Sequence, residues 1–224
     1  TSVTIAKWST GNKSYEAKWT ANTNTQYKVY HQKEKLDGTY ETVETETLSW
    51  TTDTKVTPSR KSYAWFTSPA GQEITIKWDG TASVTYKYAR KTITLSFNTN
   101  GGSTINAISG KYGATVNKPS DPTKTGYTFG WWNTTIPSTF PASDATYTAS
   151  WNVVTYTISY TLNGWTNASS NPSSYTIESN AITLAAPTRA WYTFAWWTGS
   201  NGTTAQTSVT IAKWSTGNKS YEAK

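Results

Sequence analysis

The first place to look for chemistry is the single histidine and the acids that follow it. His31 comes after Tyr30 in an alternating stretch and before Gln32-Lys33-Glu34-Lys35, and no second histidine exists to assist it as a general base. Its place next to a hairpin reads as a surface side chain. Asp37, Glu41, Glu44 and Glu46 lie around the same hairpin, and two carboxylates facing each other across a cleft could cleave a glycosidic bond. The alternation Glu44-Thr45-Glu46-Thr47, however, is that of a solvated strand face, with neighbouring acids side by side in water. A lysine–asparagine isopeptide bond would need Lys, Asn and a carboxylate buried together, and no acid in the sequence reads as buried. The chain has no cysteine, which excludes thiol nucleophiles, disulfides, thiolate metal sites and iron–sulfur clusters. No phosphate loop, nucleophile elbow or metal-ligand spacing occurs. The sequence therefore predicts a non-enzyme with no catalytic residue, no cofactor and no metal site.

Recognition chemistry is better supplied. The chain carries 13 Trp and 15 Tyr, side chains that serve as core, as sugar-stacking platforms or as contacts between subunits. Phe129, Phe194, Tyr127 and Tyr192 fit the core. Successive residues of a strand point to opposite faces, so one of Trp131/Trp132 and one of Trp196/Trp197 must point outward. Trp8, Trp50, Trp78 and Trp165 fall near turns or strand ends. Trp8, Trp50, Trp78, Trp131, Trp165 and Trp196 are thus the candidate inter-module, lateral or glycan contacts. The formal charge of +7 is scattered singly, not gathered into basic runs, which argues against nucleic acid as a partner.

These residues are positioned by a repetitive β architecture. Residues 1–18 and 207–224 are the same string, TSVTIAKWSTGNKSYEAK, an offset of 206 residues between positions 1 and 207. This predicts a tandem array with a 206-residue unit, and other copies of the repeat as partners. Within the period three modules share one grammar: an alternating strand, a Pro-bearing turn, an aromatic cluster and a closing strand. The expected boundaries are a tail of a preceding module at 1–19, then modules at 20–90, 91–152 and 153–224, with short linkers such as Trp19–Asn24 and Trp151–Val154. Strict alternation at 92–97 and 155–162 marks half-buried strands, and Asn-Gly and Asp-Gly mark turns. Helix signal is scarce, and a short turn or helix over the sheet is expected at most around 104–110 or 170–176. Nothing approaches the roughly 18 apolar residues of a membrane span. The chain opens on Thr1-Ser2-Val3, without initiator Met or targeting pattern, and reads as a window of a longer protein.

The clusters Gly126-Tyr127-Thr128-Phe129-Gly130-Trp131-Trp132 and Trp191-Tyr192-Thr193-Phe194-Ala195-Trp196-Trp197, with Tyr147–Trp151 and Tyr221–Lys224 downstream, resemble the Listeria–Bacteroides repeat, or internalin B-repeat, family. The first module, from Tyr27 to Tyr88 with its Leu36-Asp37-Gly38-Thr39-Tyr40 turn, is similar to mucin-binding-type modules of bacterial surface proteins. The resemblance implies small β-grasp-like modules, β-rich with little helix, arranged end to end at the bacterial cell surface. It implies an extracellular structural repeat of a fibre, stalk or adhesin, or alternatively a carbohydrate- or mucin-binding adhesin module that uses exposed Trp and Tyr. Trp50, Trp65, Trp131, Trp165, Trp191 and Trp196 stand where that family usually has Gly. Trp tolerates positive φ poorly, which predicts altered turns or rings turned to a new contact.

Overall fold

The computed structural model describes residues 2–224 and contains no helix among them. The chain divides into two compact units, one ending at Lys91 and one beginning at Thr92.

In the first unit, β1 (Thr25–Glu34), β2 (Tyr40–Trp50), β3 (Lys55–Val56), β4 (Phe66–Thr67), β5 (Ile74–Thr75) and β6 (Ser83–Arg90) follow in order. β1, β2, β4 and β6 form one sheet in the order β2-β1-β6-β4, and β3 pairs with β5. The period of two along β1 sends Thr25, Tyr27, Val29 and His31 inward, and β6 matches it with Val84, Tyr86 and Tyr88. Ile76 closes the core between them. The β1–β2 hairpin turns at Gly38, whose φ of +81° suits glycine, and the Asp37 carboxylate accepts the Thr39 N–H at 2.9 Å. β1 and β6 run parallel, from Lys28 opposite Ser83 to Lys33 opposite Tyr88, so the chain between them must cross over; after the long β2 it does so in short strands and turns.

The second unit repeats this plan twice. β7 (Thr92–Asn98), β8 (Ile108–Lys111), β9 (Tyr127–Trp132) and β10 (Ala145–Val153) form a sheet in the order β8-β7-β10-β9. β11 (Thr155–Thr161), β12 (Ser174–Thr176), β13 (Ile182–Thr183), β14 (Trp197–Gly199), β15 (Gly202–Gln206), β16 (Thr210–Ile211) and β17 (Lys219–Ala223) follow. Their main sheet is β12-β11-β17-β14-β15, with β13 and β16 as a separate pair. β7 pairs parallel with β10 and β11 with β17, the same closure as β1 with β6. One core is built on Ile93, Leu95, Phe140 and Tyr147, the other on Ile158, Leu184, Trp197 and Tyr221. Where at most a short turn or helix was expected, around 104–110 and 170–176, no helix forms; β8 and β12 lie at the ends of the two stretches, and a turn closes from Asn171 N–H to the Ala168 carbonyl. Ile108–Lys111 pairs with β7 and Ser174–Thr176 with β11, so edge pairing satisfies their backbones without a helical turn. The expected linker Trp151–Val154 is shorter than predicted, because β10 runs through Val153 and leaves Val154 alone before β11.

Candidate functional site

Polar chemistry concentrates in the first unit around His31. Being in phase with Tyr27 and Val29, His31 lies on the inner face of β1 and is 0% exposed, which corrects the expectation of a surface side chain. Glu44 pairs across the ladder with His31 and Glu46 with Val29, so both acids share the covered face and the intervening threonines take the solvent face. The solvated-strand reading of Glu44 and Glu46 is corrected accordingly. Strand pairing slips between His31 and Gln32, a bulge of the kind that re-aims neighbouring side chains.

His31 Nε2 lies 3.0 Å from Glu46 Oε2 and Nδ1 lies 2.9 Å from the Tyr88 hydroxyl. A carboxylate only accepts, so the tautomer that satisfies both contacts has Nε2–H donating to Glu46 and Tyr88 O–H donating to Nδ1. The Lys61 backbone N–H donates to the Tyr88 oxygen at 2.8 Å. Lys61 Nζ is 2.9 Å from Glu46 Oε1 and also bonds Glu44, to which Tyr63 O–H donates at 3.1 Å. The Lys61 ammonium, then His31, holds Glu46 below the ordinary glutamate range, while Lys61 and then Tyr63 lower Glu44. Lys61 is raised by the same two acids, and burial, then Glu44, pushes Tyr63 up to about 12. Both lowered carboxylates therefore stabilise the fold above the ordinary glutamate value of 4.5, and that contribution is lost as pH falls through their lowered values.

The order Tyr88–His31–Glu46 has the connectivity of a nucleophile, a base and an orienting acid. Its geometry serves a different purpose. The Tyr88 side chain is fully buried, its hydroxyl already accepts one hydrogen bond and donates another, and His31 has no exposed edge. The network joins β1, β2, β6 and the Lys61 segment, satisfying every polar group it buries. Lys61, its hub, carried no signal in the sequence, because its neighbours Arg60 and Ser62 resemble any exposed loop.

The predicted aromatic contacts fall at separate places. Trp8 and Trp78 sit in exposed turns, Trp50 ends β2, Trp131 lies on the outer face of β9, and Trp196 precedes β14. Trp165 is not free: it packs against the core with its ring edge-on to Phe194, 5.9 Å between centroids. In each adjacent pair one ring turns out, Trp131 against Trp132 and Trp196 against the fully buried Trp197. Tyr192, expected in the core, is exposed; the turn lifts it out and its ring lies under Arg189, 4.2 Å from the guanidinium. Trp131, with Phe129, Trp132, Lys118 and Asp121, lines a cleft of about 290 Å³. Of the two expected outcomes, altered turns or rings turned to a new contact, the backbone at Trp65 and Trp191 shows positive φ, 64° and 67°, as a glycine turn has.

One contact missed in the sequence joins the two modules of the second unit. Tyr127 O–H donates to Glu178 Oε1 at 2.7 Å, and the Val154 N–H donates to the Gly126 carbonyl at 2.9 Å. Gly126 lies so close under Ile177 that a Cβ would come within 2.6 Å of its side chain. The Tyr127 side of this joint lay within the recognised aromatic cluster, but Ile177-Glu178 has no motif of its own.

The profile of the Listeria-Bacteroides repeat domain matches residues 94–153 and 156–223, more than half of the chain and both modules of the second unit. The chain belongs to the Listeria-Bacteroides repeat family. This family is one of surface repeat domains. A curated protein of Evansella cellulosilytica, named "Putative membrane protein", is 28% identical over 119 residues, covering 50% of this chain and 18% of that protein. The chain thus spans less than a fifth of that relative. No described helix is long and apolar enough to cross a membrane.

Proposed function

We propose that this Listeria-Bacteroides repeat chain is a non-enzymatic, extracellular structural repeat of a bacterial surface fibre, stalk or adhesin, with a 206-residue tandem period. The observation that carries the reading is one topology built three times in succession, each module closing its last long strand on its first. Single residues, Lys91 and Val154, separate the closing strand of one module from the opening strand of the next. Within the second unit the Gly126–Ile177 and Tyr127–Glu178 contacts stiffen the Val154 joint. Among the described residues the Tyr88–His31–Glu46 array has its hydroxyl and imidazole buried and already hydrogen-bonded. A module of this size has a diameter of about 28 Å, so three in line advance about 85 Å per period.

Electron microscopy of a protein with three or more periods tests this directly. Stiff rods or filaments repeating every ~70–100 Å support it. Flexible, separate beads would remove the architectural reading. The cleft beside Trp131 favours a second reading, a carbohydrate- or mucin-binding adhesin module that stacks a sugar on that ring. Loss of glycan-array binding on Trp131→Ala would support it, and no binding to any anionic or neutral glycan would remove it.

A further inference from the structure

Four tryptophans adopt a backbone conformation that their type avoids. The described residues with positive φ are ten glycines, the turn formers Asp53, Asn100 and Asn163, and Trp8, Trp65, Trp191 and Trp214 at 75°, 64°, 67° and 71°. Asn and Asp visit this region because a short polar side chain can bond locally to the backbone; an indole has no such group there, and the lysine contacts over Trp8 and Trp214, at 5.1 and 4.8 Å, are made by the ring and leave the backbone penalty in place. All four occupy the same place in the same kind of turn. The residue that follows donates its N–H to the carbonyl three residues back: Ser9 to Ala6, Phe66 to Tyr63, Tyr192 to Arg189 and Ser215 to Ala212, at 3.1 to 3.2 Å. This is a four-residue turn whose third residue must have positive φ, the position that selects glycine.

The second unit contains the control. Pro122-Thr-Lys-Thr-Gly126-Tyr-Thr-Phe129 and Pro187-Thr-Arg-Ala-Trp191-Tyr-Thr-Phe194 are the same turn, with the same isolated bridges, Lys124 to Tyr127 and Arg189 to Tyr192. One copy has glycine at φ +78°, the other tryptophan, 100% exposed. The remaining tryptophans include a set of opposite character. Trp197 is fully buried, Trp151 donates its indole N–H to the Thr99 carbonyl at 3.0 Å, and Trp132 packs on Phe97, none with positive φ. Trp8 and Trp214 are one position of the duplicated string, so the four stand at three distinct turns. Three unrelated mutations placing the same unsuitable residue at one turn position are a poor account of this division, and a single difference in decoding produces them all. UGA is the codon able to do so, since it is read as stop, as tryptophan or as glycine in different bacterial codes.

We propose that codons 8, 65, 191 and 214 are UGA and that the cell that makes this protein inserts glycine at them, while Trp197, Trp151 and Trp132 are encoded by UGG. The third module then carries the same turn as the second, with the bare glycine edge on which Ile177 packs at Gly126.

Tandem mass spectrometry of the protein isolated from its own cells decides the matter, because the tryptic peptide from Ala190 to Lys213 contains both kinds of position. Glycine at 191 with tryptophan at 197 is the expected result. Tryptophan at 191, or UGG at codon 191 in the gene, overturns the proposal. An independent measurement uses recombinant protein carrying tryptophan throughout. Trp191→Gly and Trp214→Gly are expected to raise the thermal midpoint and Trp197→Gly to lower it sharply; a lowered midpoint for both turn variants overturns the assignment of these positions to glycine.

Discussion

The segments 2–18 and 208–224 have identical sequences and different structures. In the downstream copy Ile211 pairs with Ile182, and β17 lies between β11 and β14, burying Val209, Ile211, Tyr221 and Ala223. In the upstream copy no strand forms and Val3, Ile5 and Tyr15 are exposed, Tyr15 at 57% against 3% for Tyr221. One feature is common to both. The turn closed by Ser9 on Ala6 recurs as Ser215 on Ala212, at 3.1 and 3.2 Å. A hydrogen bond over three residues is a local matter that the same residues settle twice alike, whereas a strand exists only where a partner offers its ladder and a core accepts its side chains. Each large side chain so buried contributes roughly 1.5–3 kcal/mol, a gain made by Tyr221 and Ile211 and not by the exposed Tyr15 and Ile5.

The largest expected effect comes from deleting one copy or the other. Without 207–224 the third module loses the strand between β11 and β14, and its unfolding transition, followed by near-ultraviolet circular dichroism, should disappear while that of the first unit persists. Removal of 2–18 should leave every transition in place; equal damage from both deletions would break the comparison. A narrower version replaces one ring. Tyr221→Ala should cost about 3–5 kcal/mol in chemical denaturation, as for other large core rings. Tyr15→Ala should stay within about 0.5 kcal/mol. Smaller again is the turn itself: Trp214→Gly should stabilise the third module by about 1 kcal/mol through relief of its left-handed backbone, and Trp8→Gly should leave module stability unchanged, both read from thermal midpoints. The smallest effect belongs to Glu222, whose carboxylate is lowered by Lys224 and then Asn163. Its contribution is present above the ordinary value of 4.5 and lost as pH falls through the lowered one, so Glu222→Gln should slightly flatten the acid limb of a stability–pH curve. A steeper acid limb in the variant would reverse that assignment.

How much was legible beforehand follows the same division. The alternation at 92–97 and 155–162 announced β7 and β11, and the aromatic clusters announced the family, because period and motif are local properties of the string. His31 was legible in principle, since 25, 27, 29 and 31 share one parity; the charged run Lys33-Glu34-Lys35 after it masks the phase with Tyr27 and Val29. Glu44 and Glu46 were not, because which face of β2 is covered depends on register with β1 and on Lys61 arriving from a loop. Tyr127 and Tyr192 occupy the same motif position, yet only Tyr127 meets a neighbour's Glu178. No reading of the motif alone separates them.

The pairing of first and last long strands has a mechanical consequence. Because β1 and β6, β7 and β10, and β11 and β17 are parallel neighbours, tension applied along the chain pulls the two members of each pair past one another in shear. The evenly spaced ladder bonds then bear load together and must fail together, not one after another as in an unzipping hairpin. Six residue pairs, Lys28–Ser83 to Lys33–Tyr88, hold the first clamp, against four in each of the others. Under single-molecule stretching the Listeria-Bacteroides repeat modules should yield first and the first unit last, giving the chain a built-in sequence of sacrificial extension before its strongest element opens.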